Sequence, residues 1–225
     1  MADKKIAVIG LGQLGSAIAK KLAKRGIEVL AIDRNEHFID EIADSVAVAV
    51  ALDATEKKAL LSVDIQSFDA VVVAIGEDFE QLLLTTTLLM DLGVKRIMAR
   101  ARGKNQQLIL QKIGINEVFL PEEEVGINVA EHLINPSIVS FLDLPENFCI
   151  MEIHAPEGII GQSLAEIKMR RLHSINLVTT MKSRKNSHKT ISGIPTGDTI
   201  IEKEDVLVLF GKRTNIERFI ETNQR

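Results

Sequence analysis

The chain has 225 residues, 46% of them apolar, and 27 lysines and arginines against 31 acidic residues leave a net charge of −4. That length holds one large or two small domains with real cores, and the mixed charge excludes both a disordered chain and a bulk nucleic-acid binder. The longest apolar runs, residues 46–52 and 70–75, fall far short of the roughly 18–20 residues that cross a bilayer. The N-terminus lacks the apolar segment of a signal peptide, so a cytosolic protein is expected. The single cysteine, Cys149, excludes an internal disulfide and a thiolate zinc cluster and reads as a small buried apolar side chain.

A strand is predicted at residues 6–9, followed at once by Gly10-Leu11-Gly12-Gln13-Leu14-Gly15 and a helical pattern over 13–24. A second strand at 28–32 delivers Asp33 about 18 residues beyond Gly15. Each piece has a physical reason. Gly10 permits the sharp strand-to-helix turn. Gly12, with no Cβ, lets a phosphate come down onto backbone N–H groups at the positive end of the helix, and Gly15 lets that helix lie close on the strand. Asp33, at the carboxyl end of the second strand, is placed to accept hydrogen bonds from a ribose hydroxyl. Glycines recur in loops for conformational reasons alone. Here strand, glycine turn, helix, strand and acid follow in order, which points to a dinucleotide-type site.

The alternation continues with strands at 47–50, 70–74, 96–99 and 117–119 and helices at 36–42, 57–62, 79–92 and 105–113. Strict β-α alternation with continuous apolar strands predicts a parallel sheet covered on both faces. Ligands of such sheets sit at the carboxyl ends of the strands, where Gly12, Asp33, Asp53, Gly76 and Arg100 gather. Asp53-Ala54-Thr55 has two open readings: a cap on the next helix from Asp53 or Thr55, or a contact to the edge of an adenine.

After the sixth strand, Pro121-Glu122-Glu123-Glu124 leads into a helical stretch over 125–134. Carboxylates gain from the positive end of a helix, and the competing reading has Glu122 helping to hold Mg²⁺ or Ca²⁺ beside nucleotide phosphates. Pro136 interrupts the helix, an apolar turn covers 138–142, and Asp143-Leu-Pro145-Glu-Asn147 reads as a hinge, giving domains 1–142 and 143–225. The remainder predicts strands at 150–154, 177–182, 190–194 and 206–210 and helices at 163–172 and 215–221, with Ser163 and Glu166 forming a capping box. Lys168, Arg170, Arg171, Lys182, Arg184, Lys185 and Lys189 make this module locally basic: a solvated face, or a surface for a small anionic ligand or the inner membrane surface. Without Trp or Tyr there are no such rings to stack on bases, so nucleic acid is not an expected partner.

The five histidines (His37, His132, His154, His173, His188) are scattered, and no Ser-His-Asp order, HExxH helix or GxxxxGK[ST] loop occurs. A non-enzymatic protein is expected. The alternative is a small NAD(P)-dependent oxidoreductase.

Gly10-Leu-Gly12-x-x-Gly15, Asp33-Arg34-Asn35, Asp53-Ala54-Thr55, Val73-Ala-Ile-Gly76, Lys112-Ile-Gly-Ile115, Pro121-Glu122, Gly126, Gly161-Gln-Ser-Leu164 and the closing run from Glu204 to Gly211 occur in the order of a known family. Over essentially its whole length the chain resembles the cytosolic RCK (KTN) regulatory subunits of Ktr/Trk potassium transporters. The resemblance implies a Rossmann-like doubly wound parallel sheet, a crossover helix near 125–141 and a small α+β C-terminal RCK domain. It further implies a homodimer built into an octameric ring beneath an integral membrane K⁺ channel-like subunit, at the inner face of the membrane. Adenine nucleotide binding (ATP, ADP, or NAD(H) in some members) would change the ring's shape and control K⁺ flux. Carried over residue by residue, Gly10, Gly12, Gln13, Leu14 and Gly15 line the phosphate turn, Asp33, Arg34 and Asn35 the ribose, and Asp53 and Ala54 the adenine. Gly76 borders the crevice, Arg100 reaches the phosphates, and Glu122 matches an acid that helps bind a divalent cation. Gln13 departs from the pattern: an Arg commonly stands there and contacts the terminal phosphate of ATP, a charge-assisted bond that an amide cannot make, so AMP, ADP and NAD(H) gain ground. Arg170, Asn176 and Pro195 fall where some relatives bind cyclic di-AMP; fold-maintaining roles for Asn176 and Pro195 are the other reading.

Overall fold

A computed structural model describes residues 4–183 and 189–224. The first half runs β1 (Lys5–Ile9), α1 (Gln13–Ala23), β2 (Glu28–Asp33), α2 (Glu36–Ile42), β3 (Val48–Ala51), α3 (Lys57–Ser62), β4 (Ala70–Val73), α4 (Phe79–Asp91), β5 (Ile97–Arg100), α5 (Lys104–Ile113) and β6 (Glu117–Phe119). The six strands pair in parallel in the order β3-β2-β1-β4-β5-β6. Strand order reverses between β1 and β4, and the crevice outside their carboxyl ends is where such a sheet takes a ligand.

Both faces of the central strands are apolar because both are covered. Ala7, Ile9, Leu30, Ile32, Val71 and Val73 join Leu82 and Leu89 of α4 and Leu110 of α5 in one core. The intervening residues Val8, Val29, Ala31 and Val72 join Ala19 of α1 and Ile42 of α2 in another. Successive strand side chains point to opposite faces, so each strand feeds both cores. At roughly 1.5–3 kcal/mol for each fully buried large aliphatic side chain, this double burial outweighs any local propensity.

The described chain up to Glu124 forms one compact unit and that from Val125 a second, with α6 (Pro121–Ile134) running through the division. The second unit contains β7 (Ile138–Asp143), β8 (Phe148–His154), α7 (Leu164–Ile167), α8 (Met169–His173), β9 (Asn176–Ser183), β10 (Lys189–Ile191), β11 (Asp205–Lys212) and α9 (Arg213–Asn223). Its strands form an antiparallel sheet in the order β10-β9-β11-β8-β7. Ile216, Phe219 and Ile220 of α9 pack with Met151, Ile153, Leu207 and Leu209 of the sheet.

Several expectations for this half change. Residues 138–142, read as an apolar turn, form strand β7, which pairs with β8. The segment read as a hinge is the turn of that hairpin, closed by a hydrogen bond from the Leu144 N–H to the Phe148 carbonyl at 2.8 Å. The helix that the resemblance extends to about residue 141 ends at Ile134. The helix expected over 163–172 is two helices, because Lys168 adopts left-handed backbone at φ +52°. A continuous helix would place Ile167 and Met169 on opposing sides; the break lets both enter the core, each 5% exposed.

Candidate nucleotide-binding site

The glycine turn is built as its sequence requires, each glycine for a different reason. Gly10 has φ +90°, and a Cβ there would press on the backbone of Ala74 and Ile75 at the exit of β4. Its N–H donates to the Ile32 carbonyl at 2.8 Å, tying the turn to β2. A Cβ on Gly15 would collide with the Gly10 carbonyl oxygen, so α1 rests directly on the turn. Gly12 differs: it is extended (φ −59°, ψ −174°), and nothing lies within 4 Å of where its Cβ would be. Open space, not conformation, is what this glycine provides. No side chain caps α1, and no acidic residue stands in its first turn, where Gln13 is exposed and Leu14 half-buried. Its first N–H groups therefore have neither a side-chain cap nor a carboxylate of their own turn, the arrangement in which a helix start can take an anion.

Asp33 bridges two elements. Its Oδ2 accepts the Leu11 N–H at 2.7 Å and its Oδ1 the Asn35 N–H at 2.9 Å, so the carboxylate holds the glycine turn against the tip of β2 while keeping lone pairs for a further donor. Ser16, which sequence reasoning passed over, locks the same turn by donating to the Leu11 carbonyl at 2.6 Å. Its signal was a hydroxyl directly behind the third glycine. Asn35, expected at the ribose, caps α2 by accepting the His37 N–H at 3.0 Å. Arg34 is exposed beside it and helps hold the Asp53 carboxyl low.

Asp53 and Thr55 cap no helix. Thr55 donates its N–H (2.9 Å) and hydroxyl (2.6 Å) to Asp53 Oδ1, which depresses the Asp53 pKa, and the N-cap position of α3 is Glu56. The Ala54 side chain belongs to the core at 7% exposure.

Arg100 closes β5, and its guanidinium lies across Gly76, where a Cβ would strike it. It pairs with Glu122, and this hydrogen bond is the main reason the Glu122 carboxyl is held below the usual range. Arg100 Nε is buried without an acceptor; such a donor costs about 1–3 kcal/mol. The open cradle at Gly12, the Asp33 carboxylate and this unmatched cationic donor fit a phosphate-bearing nucleotide. A divalent cation is another matter. Among the described residues no three His, Cys, Asp or Glu side chains gather as a metal site, and Glu122 already faces a guanidinium. Mg²⁺ is commonly held by one or two carboxylates together with ligand phosphates and water, so a cation at Glu122 would depend on donors from the ligand.

In the second unit a cavity of about 420 Å³ is lined by Lys168, Arg170, Arg171, Asn176 and Pro195, with Leu164 and Ala165 of α7. The structure thus brings Arg170, Asn176 and Pro195 together, and Arg170 Nε donates to Asn176 Oδ1 at 2.6 Å. Of the other expected cations, Lys182 pairs with Glu202. Arg184, Lys185 and the fifth histidine, His188, lie outside the described residues. No helix among the described residues is long and apolar enough to cross a membrane.

A switch-point crevice with a bare glycine turn, followed by a small antiparallel module with a basic pocket, defines a two-domain protein of the nucleotide-binding RCK class. Residues 6–121 match the TrkA-N domain and residues 150–223 the TrkA-C domain. Ktr system potassium uptake proteins C and A of Bacillus subtilis (strain 168) are each 33% identical, over 216 and 217 residues and 96% of each chain. The chain belongs to the TrkA/KtrA-like family of RCK (KTN) regulatory subunits of Ktr/Trk-type potassium uptake systems. The fold is shared with the GsuK RCK domain, at TM-score 0.53 and 24% identity over 99% of this chain and 47% of that one. It is likewise shared with the GsuK channel bound to NAD, at TM-score 0.51 and 23% identity over 100% of this chain and 39% of that one, so the chain spans less than half of those longer proteins.

Proposed function

We propose that this chain is a non-enzymatic, nucleotide-sensing gating subunit that acts on K⁺ flux through a membrane channel-like partner from the cytoplasmic side. The observation that carries the reading is the cradle at Gly12: open space over uncapped N–H groups at the switch point, with the Asp33 carboxylate bonded to the same turn. An adenine nucleotide there, ADP, AMP, NAD(H) or ATP, places phosphate on Gly12, Gln13 and Leu14 and ribose on Asp33. Three described histidines are engaged elsewhere: His37 with Glu41, His132 with the Ile138 carbonyl and His173 against Phe219.

A homodimer formed through α6 and assembled into an octameric ring is part of this reading. Val125, Ile127, Val129, Leu133 and Ile134 of α6 are 49–74% exposed in the single chain, more apolar surface than a free helix keeps. The basic cavity at Arg170, Asn176 and Pro195 is the matching seat for cyclic di-AMP. Mg²⁺ or Ca²⁺ enters only where ligand phosphates or a second copy supply the remaining donors. Nucleotide shifts the ring only by its differential affinity for two ring states.

Mass spectrometry of the small molecule released from denatured protein, with calorimetric titration of ADP, ATP and NADH, tests the site. K⁺ uptake by cells carrying the Asp33→Ala variant tests the coupling. Failure of every nucleotide to bind sinks the proposal, and steady NADH consumption with carbonyl substrates moves it to the oxidoreductase.

A further inference from the structure

Arg100 stands one strand from the switch point, yet its guanidinium is turned down onto Gly76 and secured by Glu122 in the first turn of α6. The arginine side chain is 17% exposed and the glutamate 52%. Two features set this pair apart from an ordinary structural ion pair. A guanidinium buried for structural reasons has its donors matched, whereas Arg100 Nε is buried with none. Gly76 needs no left-handed backbone; what its missing Cβ supplies is the seat for the guanidinium.

We propose that Glu122 is a built-in competitor of ligand phosphate for Arg100: the ion pair parks the guanidinium on Gly76, and a phosphate on the glycine turn draws it off and frees the first turn of α6. The proposal rests on the crevice being a nucleotide site and adds the residue pair through which occupancy is felt. In the parked position Nε is out of reach of solvent and of any ligand. An anion that takes this donor must therefore lift the guanidinium, which pulls it from Glu122. The lifted arginine exchanges an unmatched donor for a charge-assisted bond. Glu122 is left exposed at a helix start, where the dipole tolerates its charge. The first turn so freed belongs to α6, which is continuous from Pro121 to Ile134. Linkage makes the effect reciprocal: whatever weakens the hold of Glu122 strengthens phosphate binding.

The test is calorimetric titration of ADP, NADH and adenosine into the full chain in EDTA, wild type against the near-isosteric Glu122→Gln. Competition predicts that ADP and NADH bind about three- to tenfold more tightly to the variant, with adenosine unchanged. Equal or weaker ADP and NADH binding, or a gain shared by adenosine, overturns the competition and leaves the nucleotide site standing. A wild type that binds neither ADP nor NADH overturns both. Amide exchange over residues 121–126 gives an independent reading: faster on ADP saturation of the wild type, and already fast in unliganded Glu122→Gln. Exchange there that ignores ADP overturns the proposal as well.

Discussion

Asp33 Oδ2 accepts the Leu11 N–H at 2.7 Å, so the acid expected to hold a ribose also holds the glycine turn in place. Asp33→Ala removes both functions. The expected outcome is loss of nucleotide affinity by about a hundredfold or more, the worth of two lost hydrogen bonds to a charged group at about 1.5–3 kcal/mol each. Asp33→Asn keeps one acceptor and falls between. Calorimetry with ADP or NADH measures both, and an unchanged affinity in Asp33→Ala is incompatible with the site.

The three glycines separate stability from binding. Gly12→Ala puts a methyl into open space at a conformation any residue adopts, so folding is retained and nucleotide binding is lost. Gly15→Ala drives its Cβ into the Gly10 carbonyl, and Gly10→Ala adds a left-handed φ to crowding at Ile75. Each costs about 1–3 kcal/mol or more of stability. Urea unfolding beside ligand titration distinguishes the two classes; equal destabilisation by all three contradicts the assignment of the open cradle to Gly12.

The parallel sheet was legible because double burial writes itself as continuous apolar strands, and strand, glycine turn, helix and acid are local signals. The misread segments depend on partners distant in sequence. Residues 138–142 show no clean alternation, since β7 is a half-exposed edge strand, and Asp143-Leu-Pro145 carries the same turn chemistry whether it closes a hairpin or opens a linker. Lys168 carries no breaker signal; the helix parts there because two core positions must both be filled. At the site, Asn35 Oδ1 accepts the His37 N–H and Asp53 Oδ1 accepts from Thr55, local bonds that sequence spacing does not separate from ligand roles. The seat of Arg100 on Gly76 depends on the reach of a long side chain between two strands, which no spacing in sequence encodes.

Arg213 gathers the second unit around one guanidinium. Nη1 meets Glu131 of α6 at 3.0 Å, Nη2 meets Asp143 of β7 at 2.9 Å, and the group lies 4.7 Å from the Phe141 ring centre. Arg213→Met keeps the apolar stem, leaves the part-buried Glu131 carboxylate without this guanidinium and releases the exposed Asp143. At 23% exposure the expected loss is about 2–3 kcal/mol, below the 3–5 of a fully buried pair. ADP affinity should not change. Urea unfolding and calorimetry of the same sample check both halves, and full stability in Arg213→Met rules out the staple.

The capping box of α7 makes one wall of the basic cavity sensitive to acid. Glu166 Oε2 accepts the Ser163 N–H at 2.8 Å and its hydroxyl at 2.7 Å, and these bonds, the backbone one foremost, hold the Glu166 carboxyl below its ordinary value. A depressed folded pKa contributes stability that is complete above the ordinary glutamate value of 4.5 and is lost as pH falls through the folded value. Leu164 and Ala165, on the same short helix, line the cavity. Amide protection at Glu166 and Ile167, corrected for intrinsic exchange, should therefore be flat above that value and decline below it. If the cavity is the cyclic di-AMP seat proposed above, affinity for that ligand declines in the same window, while the arginines of the cavity keep their charge. Glu166→Gln should show weakened protection at neutral pH with no further drop in acid. An acid response that persists unchanged in Glu166→Gln places its origin in another group.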